Sequence, residues 1–326
     1  MEYTKLGRTG LKVSRLVLGT MNFGPATEEK EAFKIMDAAL DAGINFFDTA
    51  NVYGKSPRQG WTEEIIGRWF AQGGNRREKV VLATKVYNAM GEENDGPNDE
   101  RGLSAWKIRR HLQASLKRLQ TDHVELYQMH HVDPSVTWDE LWEVFSTFVY
   151  QGTVDYIGAS NFAGWNLVQA QAAAKNRPFL GLVSEQHKYN LMCRLPELEV
   201  LPAAKELGIG VIAWSPLAGG LLGGNVQKQG EGSRRAKMKD RVGKEADQIQ
   251  SFVDLAKELG DTPANVALAW ILNNPALTGP ILGPRTLEQL ESSLRATEIK
   301  LTEDVLKQLD QIFPGPGGPA PQAYAW

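Results

Sequence analysis

Hydrophobic and polar positions along the chain follow two alternating patterns. Short runs rich in β-branched residues alternate with longer segments in which apolar residues recur every three or four positions. The short runs predict strands at 15–19, 44–48, 79–85, 124–130, 153–160, 182–186, 210–215 and 279–283. The longer segments predict helices at 28–42, 62–72, 104–119, 137–150, 164–175, 197–207 and 286–296.

Three of these helices are expected to begin at a hydrogen-bonding side chain. Thr27 precedes Glu28, Ser104 precedes a periodic run, and Thr137 is followed three residues later by Glu140. Hydroxyl oxygens of Ser and Thr accept the free amides of a first helical turn, so these residues are predicted N-caps.

The order of the elements indicates one architecture. Strands that are apolar along nearly their whole length and are separated by helices indicate a parallel sheet covered by helices. Eight strand–helix units predict an α/β fold of the (β/α)8 TIM-barrel type, in which closure of the sheet leaves no edge. Residues 1–326 are expected to form this single domain.

Several additions to the barrel are also predicted. The segments "YTKL" and "LKV" flank the turn "GRTG" and indicate an N-terminal β-hairpin. A Gly-rich, basic loop at about 219–244 and a helix pair at about 245–274 follow the seventh barrel strand, and a further helix is expected near the C-terminus. The Pro- and Gly-rich tail at 314–326 is expected to be irregular.

Composition narrows the class of protein. The formal net charge is −3, which gives no support to nucleic acid or an anionic membrane as a partner. The N-terminus lacks the layout of a signal peptide, and no apolar run approaches the roughly 18 residues of a membrane span. Cys193 is the single cysteine, which excludes an internal disulfide framework. These features predict a soluble, cytoplasmic protein.

Polar residues stand at the ends of the predicted strands. In barrel enzymes the active site gathers at the C-terminal ends of the strands. These ends carry Asp48, Lys85, His130, Ser160 with Asn161, Gln186, Trp214 with Ser215, and Gly283 to Arg285. So many polar strand ends, several with titratable or amide side chains, favour catalysis.

Four of the residues near these ends form a plausible proton-delivery group: Asp48, Tyr53, Lys85 and His130. A tyrosine has a reference pKa near 10, so proton exchange near neutrality needs its surroundings to supply roughly 4 kcal/mol. A buried lysine favours the phenolate, and a carboxylate keeps that lysine charged. A histidine can hydrogen-bond the oxygen that receives the proton. The set suits protonation of a carbonyl oxygen while a hydride reaches its carbon.

The sequence resembles the aldo-keto reductases. The resemblance rests on "GINFFDTANVYG", "ATK", "LYQMHHVDP", "GASNF", "SEQHKYNL", "AWSPLAGGLL" and "ILGPRTLEQL", in this order, and extends to about residue 313. The segment "AWSPLAGGLL" and the long basic loop are most similar to the branch that contains potassium-channel β-subunits and related bacterial reductases.

The resemblance implies a reaction and a cofactor. The reaction would be NADPH-dependent reduction of an aldehyde or ketone to an alcohol, with Tyr53 as general acid, Asp48 and Lys85 as its tuning pair and His130 orienting the carbonyl. NADPH or NADP⁺ would bind without a Rossmann fold, and the chain has no GxGxxG motif. The cofactor-binding positions carried over are Gly19, Thr20, Met21, Asp48, Ser160, Asn161, Gln186, Trp214, Ser215, Pro216, Leu217, Gly219, Leu221, Arg234, Gly283, Arg285, Gln289 and Ser293.

The resemblance also divides these positions among the parts of the cofactor. Ser160, Asn161 and Gln186 would bond the nicotinamide carboxamide, and Trp214 would stack on its ring. Backbone amides at 215–220 would hold the pyrophosphate. Arg285 with Gln289 would meet the adenosine 2′-phosphate at a helix start.

Two features of the sequence bear on how tightly the cofactor would bind. The family often has an acid or amide pair where this chain has Ser292 and Ser293, so weaker adenine contacts are expected. The loop at 224–244 carries seven basic side chains, a surplus that would suit a lid over a polyphosphate. These side chains are Lys228, Arg234, Arg235, Lys237, Lys239, Arg241 and Lys244.

Alternatives to the reductase remain open at this stage. A cofactor-bound sensor or regulatory subunit with slow turnover would retain the same residues. A metal-dependent hydrolase is disfavoured because the histidines do not follow ligand spacing, and no metal is expected. His130 and His131 are expected on opposite faces of their strand.

The substrate and the oligomeric state are not determined by the sequence. Both an aromatic aldehyde and a sugar-like carbonyl fit it, and the resemblance allows a homo-oligomer. The residues expected to line the substrate pocket are Met21, Phe23, Trp61, Tyr87 and Met90, with polar contacts from Asn88, Asn94, Asp95 and Asn98.

Overall fold

The computed structural model describes residues 1–54, 57–91, 93–224 and 239–324. Eight parallel strands close into a barrel in the order β10-β3-β4-β5-β6-β7-β8-β9, and β1 pairs with β2 in a separate antiparallel hairpin. The strands are β1 Tyr3–Lys5, β2 Lys12–Ser14, β3 Val17–Gly19, β4 Phe46–Asp48, β5 Val81–Val86, β6 Val124–Met129, β7 Val154–Ser160, β8 Leu182–Lys188, β9 Gly210–Trp214 and β10 Leu277–Leu282. The predicted (β/α)8 barrel and its N-terminal hairpin are confirmed.

Helices surround the barrel. They are α1 Glu29–Asp41, α2 Trp61–Phe70, α3 Ala105–Leu119, α4 Trp138–Gln151, α5 Gly164–Ala174, α6 Val200–Glu206, α7 Lys239–Glu258, α8 Pro263–Asn273, α9 Leu287–Leu294 and α10 Glu303–Ile312. Helix α7 with α8 and helix α10 correspond to the predicted additions after the seventh barrel strand and near the C-terminus. Among the described helices, none combines the length and the apolar character that a membrane crossing requires.

Apolar side chains fill the N-terminal end of the barrel. Val17, Phe46 and Val81 each begin a strand and belong to one buried cluster with Leu6 and Val13 of the hairpin region. The hairpin therefore closes this end of the barrel. A larger cluster packs the helices against the outside of the sheet. Because the apolar filling occupies the N-terminal ends, the C-terminal ends are left for polar groups.

The tail after α10 is held against the barrel. The amide of Ala320 donates to the carbonyl of Leu198 (2.8 Å), and Arg194 Nη1 donates to the carbonyl of Phe313 (2.9 Å). A short 3-10 helix spans Gln322–Tyr324. The described part of the tail is thus tied down, although most of it is irregular as predicted.

Candidate active site

Lys85 lies at the centre of the polar cluster at the C-terminal end of the barrel. Its Nζ donates to Asp48 Oδ2 (2.6 Å), to the carbonyl of Thr49 (2.8 Å) and to the hydroxyl of Tyr53 (3.3 Å). The Lys85 side chain is fully buried, so its ammonium is stabilised by these partners rather than by water. The structure therefore brings together three of the four residues expected to handle a proton.

The turn after β4 positions Tyr53. The amide of Tyr53 donates to the carbonyl of Ala50 (3.1 Å), and the amide of Gly60 donates back to the carbonyl of Tyr53 (3.0 Å). Gly54 has a φ of +133°, and a Cβ at this position would collide with the backbone of Arg58. Glycine is required there because no L side chain fits. This tight turn returns the phenol over the barrel mouth.

His130 contacts the same phenol. The rings of Tyr53 and His130 meet edge to face at 6.0 Å between centroids. The Nδ1 atom of His130 is buried and has no hydrogen-bond partner in the described part of the chain. A buried polar atom without a partner is uncommon, and a bound ligand is one way to satisfy it.

Burial and neighbouring charges act on the pKa values of this group. Burial raises the pKa of Tyr53 and Asp48 adds to the rise, while the Lys85 ammonium opposes it. Burial would lower the pKa of Lys85, but Asp48 and Tyr53 together raise it. Burial, Lys85 and His131 lower the pKa of His130 to about 2. At neutral pH the phenol is therefore protonated, the lysine charged and the imidazole neutral.

Two glutamines hold the other oxygen of Asp48. Gln128 Nε2 donates to Asp48 Oδ1 (3.1 Å), and Gln186 Nε2 donates to the same oxygen (2.7 Å). Gln186 was expected to contact the nicotinamide, and in the structure its amide nitrogen bonds Asp48. Gln128 was missed by the sequence analysis. The clue in the sequence was a glutamine within the largely apolar strand segment "VELYQMH". In the structure this glutamine is buried and pairs with Lys85 across β5 and β6.

The expectation that His130 and His131 occupy opposite faces was wrong. Strand β6 ends at Met129, so the alternation of a strand does not extend to these residues. Their rings stack instead, with centroids 5.3 Å apart and planes inclined by 8°.

A hydrogen-bonded network links three residues expected at the nicotinamide. Asn161 Nδ2 donates to the carbonyl of His130 (3.1 Å) and to Ser160 Oγ (2.9 Å), and Trp214 Nε1 donates to Asn161 Oδ1 (3.0 Å). Asn161 has a φ of +63°. Strained backbone of this kind costs free energy and concentrates at functional sites.

The segment after β9 has an unusual backbone. Ser215 and Ala218 have positive φ values of 56° and 49°, and Gly219 and Gly220 follow at 72° and 103°. A Cβ at Gly220 would meet no atom of the described residues within 4 Å, so a ligand could approach the backbone closely there. The side chains of Pro216 and Leu221 are buried, and Leu217 packs against the core. Only their backbones could therefore contact a phosphate.

Near β3, two of the three carried-over residues serve the barrel itself. Thr20 Oγ1 donates to the carbonyl of Asp48 (2.9 Å) and is fully buried. A Cβ at Gly19 would collide with Ile281. Met21 is exposed at the barrel mouth, with 42% of its surface accessible.

Arg285 lies between β10 and α9, with an exposed side chain. Gln289 Oε1 accepts the backbone amide of Arg285 (2.8 Å), and Ser293 Oγ donates to the carbonyl of Gln289 (2.7 Å). The carbonyl of Gly283 accepts from Asn22 Nδ2 (2.8 Å), which links the two loops. Gln289 therefore holds the loop before α9, Ser293 bonds back within the helix, and Arg285 is the free cation among these residues. Arg234 and the neighbouring Lys228, Arg235 and Lys237 lie outside the described residues.

Sequence comparison places the chain in a family. A family model described as "Aldo/keto reductase family" matches residues 15–313. The chain belongs to the aldo/keto reductase family. The resemblance stated from the motifs is thereby confirmed, and with it the class of protein, a member of an oxidoreductase family.

Relatives of this aldo/keto reductase cover essentially its whole length. It is 66% identical to "Uncharacterized oxidoreductase YrpG" of Bacillus subtilis (strain 168), over 100% of both chains. It is 33% identical to a "Probable voltage-gated potassium channel subunit beta" of Arabidopsis thaliana, over 96% of this chain and 97% of the relative. It is 30% identical to "Protein tas" of Escherichia coli (strain K12), over 98% and 100%. The predicted branch is among these relatives.

A cavity opens beside the histidines of this aldo/keto reductase. Its volume is about 310 Å³, and it is lined by Tyr87, Asn88, Arg101, His131, Val132 and Asn161. Tyr87 and Asn88 were expected to line the substrate pocket. Phe23 was expected there as well, but it is fully buried in the core around the barrel. The side chains of Asn94 and Asp95 lie outside the described residues.

Proposed function

We propose that the protein is an NADPH-dependent reductase that converts an aldehyde or ketone to an alcohol, with Tyr53 as the general acid. The contact between the Tyr53 hydroxyl and the buried ammonium of Lys85, 3.3 Å apart, carries this proposal. The positive-φ backbone between Ser215 and Gly220 and the exposed guanidinium of Arg285 support the nucleotide part. When bound, NADPH supplies the hydride.

Each residue of the group has a step in the proposed reaction. The pKa of Tyr53 is raised by burial, so the phenol keeps its proton at neutral pH and can donate it to a carbonyl oxygen. The phenolate that remains is stabilised by the ammonium of Lys85, which Asp48 keeps charged. The neutral imidazole of His130 orients the carbonyl without competing for the proton.

The variant Tyr53→Phe tests the proposal. It removes the donated proton and leaves the ring, so kcat for reduction of 4-nitrobenzaldehyde should fall by about 10²- to 10⁴-fold. Affinity for NADPH, followed by quenching of tryptophan fluorescence, should stay unchanged. Tyr150→Phe is the matched control, because Tyr150 is exposed on α4 and donates to Pro178. A Tyr53→Phe variant that kept most of its kcat would assign the proton to another group.

A regulatory role is the second candidate. The relative from Arabidopsis thaliana is named as a probable potassium channel subunit beta, which favours a cofactor-bound subunit whose output is a partner contact. Turnover distinguishes the two. A regulatory subunit would bind NADPH tightly yet reduce carbonyl compounds only slowly as the isolated chain.

A further inference from the structure

The cavity beside the histidines is close to the proposed proton donor. Aromatic and imidazole rings form a continuous series from Tyr53 through His130 and His131 to Tyr87. Tyr87, His131 and Asn161 line the cavity, so it lies one ring beyond His130. With its carbonyl group at Tyr53, the remainder of a small substrate would extend into this cavity. The volume of about 310 Å³ is at the lower end for small-molecule sites and favours a compact substrate.

Among the described residues that line the cavity, Arg101 is the only charged one and none is acidic. Burial and Arg101 both lower the pKa of His131, so that imidazole is neutral at physiological pH. Within the described residues, no carboxylate forms an ion pair with Arg101, whereas Arg77, Arg118 and Arg194 are each paired with a glutamate. The guanidinium is thus available to a ligand.

The backbone that carries Arg101 is fixed on both sides. The amide of Gly102 donates to the carbonyl of Tyr87 (2.9 Å), and the amide of Leu103 donates to Asp133 Oδ2 (2.8 Å). Lys107, with only 1% of its surface exposed, directs Nζ to the carbonyls of Asp99 and Glu100. A buried lysine that caps loop carbonyls holds the loop in one position. Such preorganisation reduces the entropy cost of binding a ligand.

We propose that the physiological carbonyl substrate carries an anionic group, a carboxylate or a phosphate, which Arg101 binds in this cavity. The proposal rests on the reductase function and names its substrate class. The planar guanidinium matches both oxyanions with paired donors, and the Asn88 amide on the same wall can add a further bond. A neutral aromatic aldehyde would leave this cation without a partner.

Matched substrate pairs test the inference with NADPH as the reductant. The carboxylate pair is 4-carboxybenzaldehyde and methyl 4-formylbenzoate, and the phosphate pair is glyceraldehyde 3-phosphate and glyceraldehyde. Wild-type protein should prefer the anionic member of at least one pair in kcat/KM. Arg101→Gln should reduce that preference by about 10- to 100-fold, mainly through KM, while Arg101→Lys should retain part of it.

Arg109→Gln is the matched control, since Arg109 is an exposed arginine on α3 and does not line the cavity. It removes the same charge and should leave the preference unchanged. The pair with the larger ratio identifies the anion as carboxylate or phosphate. Equal kcat/KM within both pairs, or equal losses for charged and neutral substrates in Arg101→Gln, would overturn the inference while leaving the reductase intact.

Binding without turnover separates this inference from the proposed function. Calorimetric titration with benzoate should show saturable binding to the wild type and weaker binding to Arg101→Gln. If none of the four aldehydes were reduced, the reductase proposal would fail, and the benzoate titration would still decide the anion site. Equal benzoate binding by both proteins would reject Arg101 as its receptor.

Discussion

The phenol of Tyr53 is subject to two opposing effects on its pKa. The sequence suggested that a neighbouring lysine would make this tyrosine a stronger acid. In the structure Lys85 does lower the pKa of Tyr53, but burial of the phenol raises it by more, and Asp48 adds to the rise. Residue types alone indicate the charges near a group and not its distance from water. A protonated phenol beside a charged lysine suits a proton donor better than a proton acceptor.

His130 should make the stability of the protein depend on pH. Its pKa is about 2 in the folded state and near 6.5 in an unfolded chain, so below pH 6.5 the unfolded chain binds a proton that the folded one does not. The contribution of His130 to the free energy of unfolding is therefore fully present above pH 6.5 and is lost as the pH falls below that value. Between pH 7 and pH 5 this residue should remove at most about 2 kcal/mol from the free energy of unfolding.

Urea unfolding at pH 5, 6 and 7 measures this loss in the wild type and in His130→Gln. The glutamine keeps a polar side chain that does not titrate, so the variant should lose less stability on acidification than the wild type. Parallel curves for the two proteins would show that His130 titrates normally and that its site is open to water.

At the scale of elements, the sequence predicted the N-cap residue of a helix correctly where no distant group competed for the hydrogen bond of its side chain. Ser104 and Thr137 cap α3 and α4 as predicted, each accepting an amide three residues on. The prediction for Thr27 was wrong, since Glu28 occupies the N-cap position of α1. Thr27 Oγ1 donates instead to the carbonyl of Arg285 (3.1 Å), 258 residues away in the sequence. A tertiary contact of this kind has no local sequence pattern.

Replacement of Thr137 by alanine should destabilise the protein by about 1 kcal/mol. The Thr137 hydroxyl accepts the amide of Glu140 (3.3 Å), and alanine would leave that amide without its partner. Thr147→Ala, on the same helix, is the control. Thr147 Oγ1 donates back to the carbonyl of Glu143 (2.8 Å) inside the helix, where alanine is the better helix former. Equal losses of unfolding free energy in the two variants would mean that capping does not limit the stability of α4.

At the scale of the whole molecule, the sequence predicted the barrel because its strands and helices follow simple periods. The contact between Asp48 and Lys85 was also predictable, since both residues stand at the C-terminal ends of barrel strands, where active sites of barrel enzymes form. Gln128 and Arg101 were not found. Gln128 lies inside an apolar strand, and Arg101 reaches the cavity only because the loop before α3 folds back onto Tyr87 and Asp133. Loop geometry is set by such tertiary contacts.

The proposed cofactor would contact residues that are far apart in the sequence, and Arg285 should bind its 2′-phosphate. We expect NADPH to bind the folded chain and not the unfolded one, so it should raise the melting temperature by mass action, and by more than NADH does. Arg285→Ala removes the exposed guanidinium between β10 and α9. The affinity for NADPH should then fall by about 10- to 100-fold, and the affinity for NADH should change little.

Arg295 provides the control for that experiment, because it follows α9 directly and is already paired. Its Nε contacts Asp261 (3.1 Å) and its Nη1 contacts Glu298 (2.6 Å), so its positive charge is already neutralised and it should not bind a phosphate. Arg295→Ala should lower the melting temperature of the free protein and leave the difference between NADPH and NADH in place. If Arg285→Ala preserved that difference as well, the 2′-phosphate would lie elsewhere, and the start of α9 would serve only to hold the loop from Gly283 to Arg285.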